Sequence, residues 1–198
     1  DNKCTRKRAD MHKLTKEVQD ALFELQHPAD CSKVKLLECP AAKGSDQGTG
    51  SRLFFLTRCL ARGIEMKRTV VLNPNMKGTE EMLSPFMPWS NCTMADIKRG
   101  KKEGRVAEYA PMGDDQKVKD GVKGGLVPKQ YKKYGYFWWK AQETYYALRP
   151  TEKTVQALAA HKASIGWNPG DIVHGMQVRR TDKTAGKLKE ADPVPLQT

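Results

Sequence analysis

The sequence predicts an α/β fold with a mainly parallel sheet and an N-terminal amphipathic helix, and three observations lead there. Met11, Leu14, Val18, Leu22 and Leu25 recur at helical spacing among charged residues. A helix-like run from Ser51 to Arg62 is followed by Thr69-Val70-Val71-Leu72, an apolar, β-branched stretch of strand character. Helix, turn and apolar strand then come again in that order toward the end of the chain. Repeated helix-then-strand units produce parallel sheets, because a parallel crossover needs the length of a helix.

Taken in order, Arg6 to Arg8 form a basic tail, and the first helix ends at His27-Pro28, where the ring of proline disfavours helix in the residue before it. Residues 1–26 are thus a basic tail and an amphipathic helix. Two roles stay open for the helix, packing on its own domain or forming a coiled-coil arm for a partner. The segment from Ser51 to Arg62 is a second helix and Arg68 to Leu72 a buried strand. Pro74, Pro85, Pro88, Pro111 and Pro128 then interrupt a stretch rich in Pro, Gly and Lys, so Asn73 to Gly135 is expected to be an irregular connection. Trp138-Trp139 open an aromatic helix that runs through Tyr145, Tyr146 and Leu148 to Arg149-Pro150, with its aromatics in the core. Thr151 caps a further helix to about Ser164. Trp167-Asn168-Pro169-Gly170 makes a turn, and Asp171 to Val178 is a strand whose end delivers Arg179-Arg180.

The composition narrows the class. With 198 residues and 38% hydrophobic content the chain can bury one substantial core. No run reaches the roughly 20 apolar residues that span a bilayer. The opening Asp1-Asn2-Lys3-Cys4 has neither an initiator Met nor a signal-peptide apolar core, so the expectation is a chain without its targeting segment. A net charge of +12 favours phosphate-bearing or acidic partners. No nucleic-acid-binding motif accompanies the charge, which puts nucleic acid last among those partners.

Cys4, Cys31, Cys39, Cys59 and Cys92 show no Cys-x-x-Cys spacing, so structural disulfides are expected rather than a zinc site or a redox pair. Asn91-Cys92-Thr93 matches the N-glycosylation acceptor pattern, in agreement with an oxidising, lumenal compartment. His12, His27, His161 and His174 are scattered, no pair has the spacing of a helical metal site, and no metal is expected. A Gly-x-Ser-x-Gly elbow is also lacking. Gly48-Thr49-Gly50-Ser51 reads as a turn and helix start, with anion binding at the helix N-terminus as the alternative.

The chemistry is expected at Arg179 and Arg180. Ligands of open α/β sheets bind beyond the carboxyl ends of the strands, which is where this pair falls. A guanidinium is permanently charged and carries a planar fork of donors, so it can hold a diphosphate and offset the charge that develops as a sugar bond breaks. Thr181-Asp182-Lys183 can orient the pair through its carboxylate. By itself Arg-Arg-x-Asp is a weak motif that reads more readily as a surface salt-bridge cluster than as a phosphate site.

The order of several pieces resembles the α1,6-fucosyltransferase family, both the N-glycan core enzymes and the bacterial nodulation type. The pieces are His27-Pro28-Ala29-Asp30-Cys31-Ser32-Lys33, Cys39, the Gly-containing turn into Leu53–Arg62, Arg68–Leu72, Trp138-Trp139, Leu148-Arg149-Pro150 and Val178-Arg179-Arg180-Thr181-Asp182-Lys183. The resemblance implies a GT-B-like, Rossmann-type glycosyltransferase domain, incomplete because the chain stops at Thr198. Residues 27–149 would be its N-terminal α/β subdomain and 150–198 the start of the nucleotide-binding subdomain.

The resemblance further implies GDP-fucose as donor substrate, a glycan as acceptor, no separate cofactor, and the Golgi lumen. Arg179 and Arg180 would meet the donor diphosphate, with Asp182 and Lys183 supporting their loop. It pairs Cys31 with Cys92 and Cys39 with Cys59, and leaves Cys4 over. Gln177, counted with the donor site, stands where the family usually has a histidine, and Gln cannot become cationic. Gly44 to Gly50 lacks a cysteine pair that vertebrate members carry. The alternative is a non-catalytic accessory subunit that keeps the fold and binds protein partners in a larger assembly.

Overall fold

A computed structural model of the chain describes residues 2–39, 48–73, 79–109, 127–168 and 170. It divides into two units, residues 1–157 and 158–198. The elements in order are α1 (Asn2–Gln26), β1 (Leu36–Cys39), α2 (Thr49–Met66), β2 (Thr69–Leu72), α3 (Thr79–Leu83), α4 (Met94–Lys102), β3 (Val106–Glu108), a 3-10 helix (Lys129–Tyr134), α5 (Tyr136–Ala147) and α6 (Glu152–Ser164). The sheet order is β2-β1-β3 and both pairings are parallel, with Leu36 opposite Thr69 on one side and Val106 on the other. The first unit is therefore mixed α/β on a small three-stranded parallel sheet. In the second unit α6 closes at Gly166, whose φ of 69° suits glycine, while Trp167 N donates to Lys162 O.

β1 is buried at all four positions, as expected for a parallel strand covered on both faces. Nothing in the sequence reading anticipated it. α1 buries Val18, Leu22 and Gln26 and half-buries Leu14 and Leu25, whereas Met11 is exposed. Residues of the α1 C-terminus meet the start of β2. Thr69 Oγ1 donates to Leu25 O at 2.8 Å, and Val70 N donates to Gln26 Oε1 at 2.8 Å. The fully buried Gln26 thus satisfies a backbone donor on the outer edge of the sheet.

α2 runs four residues past the expected end at Arg62. Lys67 then turns the chain in the left-handed region, φ 52°, and Arg68 N donates to Gly63 O at 2.9 Å. This two-residue reversal presses α2 against β2. A Cβ on Gly63 would lie 2.6 Å from Val70 Cγ2 and 2.9 Å from Arg68 O, so close approach requires glycine here.

The stretch 73–135 differs from the irregular connection that its composition predicts, because it supplies α3, α4, β3 and the 3-10 helix. Pro85 and Pro88 precede α4 rather than interrupting it. A capping box starts that helix, with Thr93 N and Oγ1 both donating to Asp96 Oδ2, at 2.8 and 2.9 Å. These bonds, Thr93 N first, hold the Asp96 carboxyl below its ordinary value. The Pro85–Trp89 segment is fastened beside α5. Trp89 Nε1 donates to Ala147 O, Tyr146 Oη donates to Trp89 O, and Thr154 Oγ1 donates to Pro85 O.

The aromatics of α5 divide between core and surface. Trp139 and Tyr146 are buried, but Phe137 is 83% and Tyr145 67% exposed. Helical periodicity puts Trp139, Glu143 and Tyr146 on the face toward α1 and α2 and turns Phe137 and Tyr145 outward, while Trp138 packs at the margin of the core. On the buried face, Glu143 Oε1 accepts from Trp139 Nε1 at 2.6 Å and Oε2 accepts from Lys140 Nζ at 2.8 Å. Lys140 Nζ also donates to Phe54 O and Thr57 Oγ1 of α2. Burial pushes the Glu143 carboxyl up to about 7, against the opposing pull of Lys140, and burial lowers the Lys140 ammonium.

Two outcomes follow. Gly63→Ala should destabilise the protein by about 1–3 kcal/mol through overpacking, read as a lower urea midpoint at unchanged slope. Because the folded Glu143 value lies above its ordinary 4.5, its contribution is fully present below 4.5 and lost as pH rises through about 7. Thermal midpoints should therefore fall across that window, and Glu143→Gln should flatten the fall; an equally steep fall in the variant contradicts the assignment.

Candidate functional site at the carboxyl edge of the sheet

Parallel sheets place their ligands beyond the carboxyl ends of the strands. Here that edge is formed by Cys39, Leu72-Asn73 and Glu108-Tyr109. Asn73 N donates to Cys39 O at 3.0 Å and Tyr109 N donates to Glu38 O at 2.9 Å, which extends the pairing by one residue on each side of β1. The segments that leave this edge, 40–47, 74–78 and 110–126, lie outside the described residues. Each carries a Lys-Gly pair in sequence, Lys43-Gly44, Lys77-Gly78 and Lys123-Gly124.

A polar cluster closes the described part of the edge. Glu38, only 8% exposed, accepts from Asn73 Nδ2 on Oε1 at 2.8 Å and pairs through Oε2 with Lys101 Nζ at 2.6 Å. The same ammonium pairs with Glu108 Oε1 at 2.8 Å. Glu108 and then Glu38 hold the Lys101 ammonium above its ordinary value, and Lys101 holds the Glu108 carboxyl below its own. One lysine shared by two carboxylates has little to offer a phosphate. Glu38, held from both sides, is likewise committed and does not serve as a free base. The cluster orders the edge.

Two disulfides frame the sheet. Cys39, the last residue of β1, is bonded to Cys59 of α2 with Cα atoms 6.0 Å apart, and so anchors the edge. Cys31 is bonded to Cys92 with Cα atoms 5.6 Å apart, joining the α1–β1 connection to the segment before α4. These are the pairs that the family resemblance implies. At the amino end, Arg68 Nη1 donates to Leu36 O and Arg105 O, and Arg105 Nη1 donates to Val34 O and Cys31 O. The Arg68 guanidinium is thereby spent on backbone carbonyls, and that of Arg105 on carbonyls and on the Glu103 carboxylate, to which Arg105 Nε donates at 2.7 Å.

The donor residues expected from sequence, Gln177, Arg179, Arg180, Asp182 and Lys183, lie outside the described residues, as do the strand expected over 171–178 and His174. Asn91 is exposed. His27 stacks on Phe23 with ring centroids 4.1 Å apart, a packing role rather than a ligand one. Among the described residues no group of three His, Cys, Asp or Glu side chains is placed to hold a metal, and no helix is long and apolar enough to cross a membrane. Sequence reasoning missed Glu38, Asn73, Lys101 and Glu108. The available signal was the short apolar run around Leu36 and Leu37, which marks β1 and hence the strand that carries Glu38.

The family described as alpha-(1,6)-fucosyltransferase N- and catalytic domains matches residues 1–191. The alpha-(1,6)-fucosyltransferase of Drosophila melanogaster is 30% identical over 188 residues, covering 86% of this chain and 29% of that relative. The chain spans less than a third of the length of this curated relative. With a family match over nearly its whole length, the chain belongs to the alpha-(1,6)-fucosyltransferase family.

Proposed function

We propose that this chain forms part of a GDP-fucose-dependent fucosyltransferase of GT-B-like architecture, and that Arg179 and Arg180 hold the donor diphosphate. The observation that carries this reading is the Arg179-Arg180-Thr181-Asp182 run, which falls inside the matched residues 1–191. Breaking the bond between fucose and GDP leaves the full diphosphate charge on the departing group. Two guanidinium groups meet that charge with short, charge-assisted hydrogen bonds, which strengthen as it develops. Asp182 and Lys183 support the loop, and Gln177 contributes a neutral hydrogen bond. An acceptor hydroxyl attacks from the opposite face in line with the leaving group, so the sugar carbon inverts. The two disulfides suit a lumenal site of action in the secretory pathway.

Gln177 favours a second reading, an accessory chain that keeps the fold without transfer, since the resemblance places a histidine there. Calorimetric titration with GDP separates the two. The enzyme reading expects saturable binding that Arg179→Ala with Arg180→Ala weakens by roughly two to four orders of magnitude, at about 1.5–3 kcal/mol for each charged hydrogen-bonding group. A folded protein that binds no GDP overturns it and supports the accessory chain.

A further inference from the structure

Asn91-Cys92-Thr93 has a conformation that bears on more than its sequence pattern. The side chains of Asn91 and Thr93 are exposed while that of Cys92 turns inward, where it packs with Leu36, Val71 and Ile97 and bonds to Cys31. Both polar groups of the pattern are engaged in the folded protein. Asn91 Nδ2 donates to Pro28 O at 2.9 Å, and Thr93 Oγ1 donates to Asp96 Oδ2 at 2.9 Å in the capping box of α4. Asn91 N also donates to Gln26 O at 3.3 Å. The segment is thus clamped to the end of α1 on one side and to α4 on the other, with the disulfide between.

We propose that Asn91 carries an N-linked glycan, added before Cys31 and Cys92 join, and that closure of this disulfide ends the period in which the site can be modified. In the transfer, the Asn91 amide nitrogen bonds to the anomeric carbon of a lipid-pyrophosphate-linked oligosaccharide. The bond from that carbon to the pyrophosphate oxygen breaks, and the lipid pyrophosphate leaves, taking up the proton that the amide gives up. The transferase must grip the asparagine amide and the threonine hydroxyl together in an open chain. Folding takes both away, the amide to Pro28 and the hydroxyl to Asp96.

The folded structure accommodates the product. A glycosylated asparagine keeps one amide N–H, enough for the single bond to Pro28 O. Asn91 stands beside Gln26 and Pro28, at the amino end of β2, where Val70 N meets Gln26. The inference rests on the secretory-lumen reading above.

The first arm of the test uses the parent sequence. Protein from a secretory eukaryotic host is pulse-labelled, its thiols are alkylated at successive times, and Asn91 is read by peptide mapping after enzymatic release of glycans, which converts a modified asparagine to aspartate. The expected result is glycan on Asn91 in chains whose Cys31 and Cys92 are still reduced, with no later gain among oxidised, unmodified chains. Cys31→Ser, which keeps Asn-Cys-Thr intact, should leave no smaller fraction of chains modified than the parent. Unmodified Asn91 in chains that form both disulfides overturns the glycan. Glycan gained by already oxidised chains overturns the order of events. Absence of both disulfides instead counts against the lumenal reading on which the inference stands.

Discussion

The fold depends on one buried amide. Gln26, at the last position of α1, accepts from Val70 N through its side chain and from Asn91 N through its carbonyl, so three segments distant in sequence meet at one residue. β2 lies at the edge of the sheet, and an edge strand buried beneath a helix must still satisfy its outward N–H groups. Gln26 provides that partner where a leucine could not, and a buried unpaired amide costs about 1–3 kcal/mol. The position of α1 follows from this contact. Once α1 is placed, Val18 and Leu22 meet Trp139 and Tyr146 in the main core, and Gln19 Nε2 reaches Gln142 of α5.

The two ends of the sheet have different chemistry. At the amino end Arg68 and Arg105 cap four backbone carbonyls, and Cys31–Cys92 holds the chain across them. That end is locked. At the carboxyl end Cys39–Cys59 and the Glu38–Lys101–Glu108 cluster fix where three connecting segments depart. Fixed strand ends of this kind let an α/β sheet support binding in general, because anchor points that do not move can carry connections that vary.

The sequence made some of this legible and concealed the rest for physical reasons. The Thr69–Leu72 strand, the helix before it and the Thr151 cap are local patterns, and each is found where periodicity and capping chemistry place it, the helix only longer than expected, with Thr154 N donating to Thr151 Oγ1 at 3.2 Å. β1 was hidden because Glu38 breaks its apolar run, and a carboxylate there is tolerated only through Lys101 and Asn73, which come from distant segments. α4 was hidden by the Pro and Gly around it, although its capping box was present in the sequence. The Lys140–Glu143 pair looks from spacing like an ordinary exposed i,i+3 pair; its burial against α2 is a tertiary fact. The cysteine pairing came from family resemblance, since spacing alone leaves many connectivities open. The proposed donor residues, Arg179 and Arg180, are legible only as a motif.

Charge accounting at the carboxyl edge bears on the role proposed for those arginines. The whole chain carries +12, yet the described cluster there consists of Glu38, Glu108 and Lys101, one cation against two carboxylates, a local sum of −1. A diphosphate approaching this cluster meets no free cation in it, and displacing Lys101 would leave Glu38 buried without its counter-ion, a loss that outweighs what an exposed contact returns. The Arg68 and Arg105 guanidinium groups lie at the opposite end and are already bound to carbonyls. A diphosphate donor of the kind proposed would need cations that this cluster does not hold. Arg179 and Arg180 are two adjacent residues whose charge persists at every physiological pH and whose forked donors match phosphate oxygens.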